Sequence, residues 1–485
     1  MVKIESIMEA LIGREIEKKI LAEVFASKNP ELVAVYGRRR VGKTFLIRKE
    51  YAGHIIFEFS GVHSGKLAAQ LQNFTNSMQA TAGSTLPLAV PANWLQAFYQ
   101  FQTLLQPKLE KGRCVIFLDE FPWANSARSG FLEAFENFWN SWCTKQPNLV
   151  VVICGSAAAW MIRNIINNKG GLHNRISQKI RLLPFNLKET EEYLKTRHVN
   201  LDKYQILELY MAIGGIPQYL KNIKPGQSAA AAIDQLCFTK DGLLRNEFDN
   251  LYQSLFDKAD HHINVIKALA DKPSGLTRKE LMTASSLSTG GTTTKLLEEL
   301  IESGFIAAYI PFNKDVRDSI YKLTDEYSLF YLKFMTGRLR SGKDVWLKMS
   351  ATPSWKSWSG YAFENICLKH TAQIKNALGI AAVNTQESVW RNVPGKGEKG
   401  AQIDLLIDRQ DNCINICEMK FSTSEYSINP SYATELKNKI NVFQEKTKTR
   451  KTLFLTMITT HGVKQNTNYL GLVQQELKMD ILFLS

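Results

Sequence analysis

The segment GRRRVGKT, residues 37–44, leaves a short apolar run, ELVAVY, and enters a helical pattern, so it fits GxxxxGK[ST] in a strand, loop and helix context. Gly37 and Gly42 let backbone N–H groups close around phosphate oxygens, Lys43 reaches the outer phosphates, and Thr44 offers a hydroxyl to Mg2+. RCVIFLDEFPW, residues 113–123, brings the matching carboxylates: Asp119 to hold Mg2+ through water, and Glu120 to polarise an attacking water. A third buried run, NLVVVICGS, ends at Ser156, where a polar side chain can sense a γ-phosphate. Arg175, in HNRISQKIRLLPF, is either a phosphate-facing arginine acting within the chain or towards a neighbouring subunit, or a surface arginine.

A second constellation lies near the other end. INICEMKFS, residues 414–422, sets Glu418 and Lys420 two apart on one side of a strand. Taken alone, such a pair also fits a solvated sheet face. The longer stretch IDLLIDRQDNCINICEMKF reads as two alternating strands about a turn near residue 411, which brings Asp404 towards Glu418 and Lys420. Glu364, on the helix pattern SGYAFENICLKHTAQI, is a further acid. Two carboxylates are enough to seat Mg2+ or Mn2+ and lower the pKa of a bound water, and a lysine beside them orients that water or stabilises developing charge.

The elements that must position these groups follow from patterning. At 45% hydrophobic and 22% charged, 485 residues allow two to four cores. With no apolar run of membrane length and acids in the opening segment MVKIESIMEALIGRE, a cytoplasmic protein without membrane association is expected. Seven scattered cysteines without CxxC pairs suit reduced core residues. The net charge of +14 favours a polyanionic partner. Residues 186–250 carry helical spacing, and 261–323 read as three short helices and a hairpin, the pattern of a winged helix-turn-helix. Its third helix carries Lys295 against Glu298, Glu299 and Glu302, which favours a protein-facing or state-sensing role over base reading; Lys314 and Arg317 remain candidates for phosphate contact. His261 and His262 suit a helix entry rather than a metal site. The basic residues of 437–451 suit either a nucleic-acid backbone or a solvated helix face.

In this order, GREIEKKIL (13–21), VYGRRRVGKTFLI (35–47), FLDEF (117–121), RLLPF (181–185) and GGIPQYL (214–220) resemble the archaeal-type ATPase family of the AAA+/STAND group of P-loop ATPases. The resemblance implies an additional-strand core, Gly13 and Arg14 near an adenine, and Gly215-Ile216-Pro217 in a helical lid over the nucleotide. Asp404 with Glu418-x-Lys420 and Glu364 resembles the PD-(D/E)xK nuclease family, although Ile403 stands where proline would. Such domains often follow these ATPases.

The expected architecture is therefore α/β: a P-loop AAA+-type parallel sheet core (1–185), a helical lid (186–255), a winged helix-turn-helix (256–325), a connection (326–355) and a C-terminal α/β restriction-endonuclease-like domain (356–485). The expected function is an ATP-hydrolysing switch coupled to a metal-dependent domain acting on nucleic acid, DNA ahead of RNA. The alternative is an ATP-gated, non-cleaving regulatory or defence adaptor that forms homo-oligomers.

Overall fold

Runs of apolar residues with no polar interruption become interior strands, since a parallel strand covered on both faces has no wet side. The computed structural model describes residues 10–83, 87–167, 170–256, 258–288, 290–336, 344–392 and 400–484, so the opening 1–9 and most of the loop expected at 391–402 lie outside the described residues. The chain divides between Leu183 and Pro184 into two units.

In the first unit, β1 (Glu31–Tyr36), β2 (Ile55–Ser60), β3 (Cys114–Asp119), β4 (Leu149–Gly155) and β5 (Gln178–Arg181) form a parallel sheet in the order β2-β3-β4-β1-β5. Every residue of β3 and β4 is buried. Because β4 lies between β1 and β3, the strands that lead to Gly37, Asp119 and Ser156 are neighbours and end on the same side. The edge strand β2 is absent from the sequence reading. It alternates, Phe57 and Phe59 inward with Glu58 between them, and its rings join Phe74, Trp94 and Phe101 in an aromatic core.

The second unit begins with helices. Asn186 caps Leu187–Thr196 in a reciprocal capping box with Glu189, and Lys203–Ile213 stops at Gly214, whose φ of 66° suits glycine. Gly215 then lies so close to Phe185 that a Cβ would stand 1.9 Å from its carbonyl oxygen, while Phe185 N–H donates to the Gly215 carbonyl at 2.7 Å. RLLPF and GGIPQYL are thus stitched together by backbone.

Helices Ala259–Ala270, Arg278–Ala284 and Gly291–Glu302 follow, with β6 (Leu276–Thr277), β7 (Ile306–Tyr309) and β8 (Ile320–Leu323) in an antiparallel sheet of order β6-β8-β7. His262 sits in the first helical turn and meets Glu299 at 2.9 Å.

The last sheet runs β13-β12-β11-β10-β9, from β9 (Thr385–Asn392), β10 (Ala401–Arg409), β11 (Cys413–Lys420), β12 (Thr452–Thr459) and β13 (Gln475–Lys478). Sequence reading finds three of these, β10, β11 and β12. β9 carries exposed Gln386 and Glu387 and short β13 lies at the far edge, so neither shows an apolar run. The helix expected at SGYAFENICLKHTAQI begins earlier, at Pro353, because proline suits the first helical position. Among the described residues, no helix is long and apolar enough to cross a membrane.

His370, at the end of helix Pro353–Lys369, joins that helix to the start of Leu187–Thr196. Its Nδ1 lies 2.7 Å from the Ile366 carbonyl, to which it donates, and its Nε2 accepts from Leu187 N–H at 3.3 Å. This requires the neutral ring. Burial, helped by the Lys369 charge and opposed by the Ile366 bond, lowers its pKa from 6.5 to about 4. A depressed folded pKa means stability is intact above pH 6.5 and is lost as pH falls towards 4. The second unit is expected to lose roughly 3 kcal/mol across that window. Denaturant titrations at several pH values check this, and His370→Gln should flatten the slope.

Candidate functional site

The loop of residues 37–44 owes its shape to two glycines and to its neighbour across the sheet. Gly37 has φ 148°, and a Cβ there would meet the Leu182 carbonyl oxygen at 2.2 Å; Gly42 has φ 93° and precedes helix Lys43–Glu50. Leu182 N–H in turn donates to the Tyr36 carbonyl at 2.8 Å. Leu182 is therefore the wall behind the loop. Lys43, only 6% exposed, donates to the carbonyls of Gly37 and Arg38, both at 2.9 Å.

Thr44 Oγ1 donates to Asp119 Oδ2 at 2.7 Å, and Glu120 N–H donates to Asp119 Oδ1 at 2.9 Å. Thr44, in the first turn of helix Lys43–Glu50, and Asp119, at the end of β3, are oxygen donors side by side, a set that fits Mg2+ in kind. Glu120 adopts the left-handed region, φ 43°, and its Oε2 accepts from Ser156 Oγ at 2.8 Å and Ser156 N–H at 3.1 Å. Ser156, expected to sense phosphate, thus also grips the carboxylate. Neither its position nor that of Glu120 required more than a strand-end rule, but their hydrogen bond had no signal in the sequence.

The remaining residues of the first unit divide. Gly13 and Arg14 both have φ 62°, and buried Arg14 donates to the Val41 carbonyl at 3.2 Å, so the helix start they form leans on the loop. Arg175 is exposed, and its side chain makes no hydrogen bond or ion pair among the described residues. Pro217 opens the short helix Pro217–Leu220 in the second unit, after the Gly215 turn.

In the second unit the hairpin turns over residues 410–412, close to the expected place. Its register, Leu405 opposite Cys417, sets Asp404 and Glu418 at the next cross-strand position. Against β9 the register of β10 shifts between Ile403 and Leu406, the interval that contains Asp404. Glu418, 7% exposed, takes Tyr432 OH at 2.6 Å, Lys420 Nζ at 2.9 Å and Lys439 Nζ at 3.1 Å. Burial works to raise its pKa, but these two ammonium groups and the phenol outweigh it and hold the carboxyl below its usual range. Asp404 is met by Gln402 at 2.7 Å and by Lys322 at 3.3 Å. Glu364 is pushed up to about 8, first by burial, then by the Asp404 charge, with Glu418 adding to it and Lys322 and Lys420 opposing.

The four expected residues are brought together, Tyr432 and Lys322 were missed, and Lys439, expected on a nucleic-acid backbone or a solvated helix face, is mostly buried against Glu418 instead. Tyr432 and Lys439 lie seven apart, on one face of helix Pro430–Thr447, a spacing visible in hindsight. Lys322, on β8 some eighty positions upstream, left no local sign. The donor set is all oxygen and suits a hard divalent cation in kind. As arranged, however, no group of three or more His, Cys, Asp or Glu among the described residues is placed to hold a metal ion.

A separate cavity of about 850 Å³ is lined by the basic residues Arg278, Lys279, Lys314, Arg317 and Arg391, by the acids Glu280 and Asp318, and by apolar side chains.

Residues 11–223 match the family profile described as an ATPase domain predominantly from Archaea. An uncharacterized protein of Methanocaldococcus jannaschii is 23% identical over 400 residues, spanning 81% of this chain and 83% of its own. Among solved structures, a Walker-type ATPase of Pyrococcus abyssi is 18% identical, covers 67% of this chain and 97% of its own, and gives a TM-score of 0.48. The ORC2 protein of Aeropyrum pernix is 14% identical, covers 66% and 93% respectively, and gives 0.42.

Proposed function

We propose that this protein, an ATPase that binds and hydrolyses ATP through residues 11–223, is a nucleotide-driven switch whose C-terminal sheet is a nuclease-type domain acting on nucleic acid. In the ATPase half, the N–H groups of residues 37–44 cradle the phosphates and Lys43 leaves its two carbonyls for the outer ones. Glu120, steadied by Ser156, orients and polarises the attacking water. Mg2+ held near Thr44 and Asp119 would neutralise charge on the β- and γ-phosphates.

One observation carries the nuclease half: Asp404 and Glu418 stand at adjoining strand positions, with Lys420 on Glu418 and Glu364 in the same electrostatic group. A divalent cation held by Asp404, Glu418 and Glu364 would polarise a phosphodiester and acidify a water. Lys420 orients that water, while Tyr432 and Lys439 keep Glu418 ionised and fixed. The segment 259–323 reads as a winged helix-turn-helix, and its basic rim with Arg391 is suited to a phosphate backbone, DNA ahead of RNA. A second reading, a cytoplasmic, non-cleaving adaptor that assembles into homo-oligomers on ATP, is favoured by one fact: Asp404 and Glu418 already have lysine partners.

The test is cleavage of single- and double-stranded DNA and RNA with Mg2+ or Mn2+, with and without ATP. Lys420→Ala is expected to abolish cleavage while ATP turnover persists. Absence of cleavage by both the wild-type protein and Lys322→Met, which frees Asp404 of its lysine partner, would sink the nuclease reading, and nucleotide-dependent oligomers on size exclusion would then support the second.

A further inference from the structure

Lys322 is the least expected member of the acid cluster. It projects from β8, in the sheet of residues 276–323, yet its ammonium ends 3.3 Å from Asp404 on β10 of the C-terminal sheet. It is 3% exposed, and among the described residues its side chain hydrogen-bonds and ion-pairs with Asp404 alone. Removing an ammonium from water is costly unless a carboxylate answers it. The β7–β8 hairpin is also clamped to the same sheet: Pro311 bridges to Val389, Phe312 N–H donates to the Val389 carbonyl at 2.8 Å, and the Phe312 and Phe443 rings lie 5.2 Å apart. From the other side, Asn365, next to Glu364, donates to the Leu323 carbonyl at 3.1 Å.

The charges of this cluster are matched. Three carboxylates, Glu364, Asp404 and Glu418, face three ammonium groups, Lys322, Lys420 and Lys439. Lys420 and Lys439 are native to the C-terminal sheet and its helix and both sit on Glu418. Of the three ammonium groups, only Lys322 comes from another sheet, and only Lys322 meets Asp404.

We propose that Lys322 stands in for the divalent cation: the hairpin closes a latent metal site at Asp404, Glu418 and Glu364, and must withdraw before the metal binds. The proposal rests on the nuclease-type reading of the cluster. It adds that access of the metal, rather than the acids themselves, is the controlled step.

The experiment is Mn2+ binding to the full chain, followed by the electron paramagnetic resonance signal of free Mn2+, in the absence of nucleic acid. Lys322→Met removes the charge at near-equal volume, and Lys322→Gln keeps a donor for Asp404. Either is expected to bind Mn2+ at least about tenfold more tightly than wild type, since each 1.4 kcal/mol is a factor of ten. Asp404→Asn added to Lys322→Met should erase the gain, and Lys322→Arg should stay closed. Phe312→Ala, which loosens the clamp and leaves Lys322 in place, is expected to shift affinity the same way and covers the case in which the lysine variants do not fold. Wild-type affinity in any folded variant of Lys322→Met or Lys322→Gln, or in Phe312→Ala where those do not fold, overturns the proposal. Tighter Mn2+ binding without cleavage would support the closure and count against nuclease activity alone.

Discussion

Replacing Lys43 with alanine is expected to abolish ATP turnover, with kcat falling at least about a hundredfold, the usual cost of losing one preorganised charge at a reacting centre. The ammonium is already buried and held by the carbonyls of Gly37 and Arg38, so it is aimed before any phosphate arrives. Its removal also strands those two carbonyls, which makes the loop less ready to close. Phosphate release under saturating ATP measures the effect. Unchanged turnover would remove the assignment of this loop as the phosphate site.

The second large effect is structural. Gly215→Ala puts a Cβ 1.9 Å from the Phe185 carbonyl oxygen, a backbone atom with no rotamer to yield. The second unit is expected to lose more than about 3 kcal/mol, or not to fold, because overpacking against backbone is resolved only by moving the chain. Gly226→Ala is the control: φ is 81° but nothing lies within 4 Å, so about 1 kcal/mol is expected from backbone conformation alone. Urea titration of both variants separates the two. Equal stabilities would show that the Phe185–Gly215 stitch is soft.

What was legible in the sequence was whatever a local rule governs. The phosphate loop is written in two glycines and a lysine, and β3 and β4 in unbroken apolar residues that burial on both faces demands. The hairpin bearing Asp404 and Glu418 is written in alternation about a polar turn. The edge strands β2, β9 and β13 were not legible, because a strand paired on one side carries a mixed pattern that a loop carries equally well. Partners of functional groups were illegible for a different reason. Ser156 on Glu120, Tyr432 and Lys439 on Glu418, and Lys322 on Asp404 are tertiary pairings at sequence separations of 14 to 82, fixed by packing and not by spacing.

The backbone at Glu120 has one more consequence. A left-handed conformation costs a residue with a side chain of the order of 1 kcal/mol, and glycine or asparagine would sit there more comfortably. A search for thermostable versions of this chain would therefore keep choosing other residues at position 120, and each gain in melting temperature there would be bought with the carboxylate that Ser156 holds. Optimisation for robustness and optimisation for turnover diverge at that one residue.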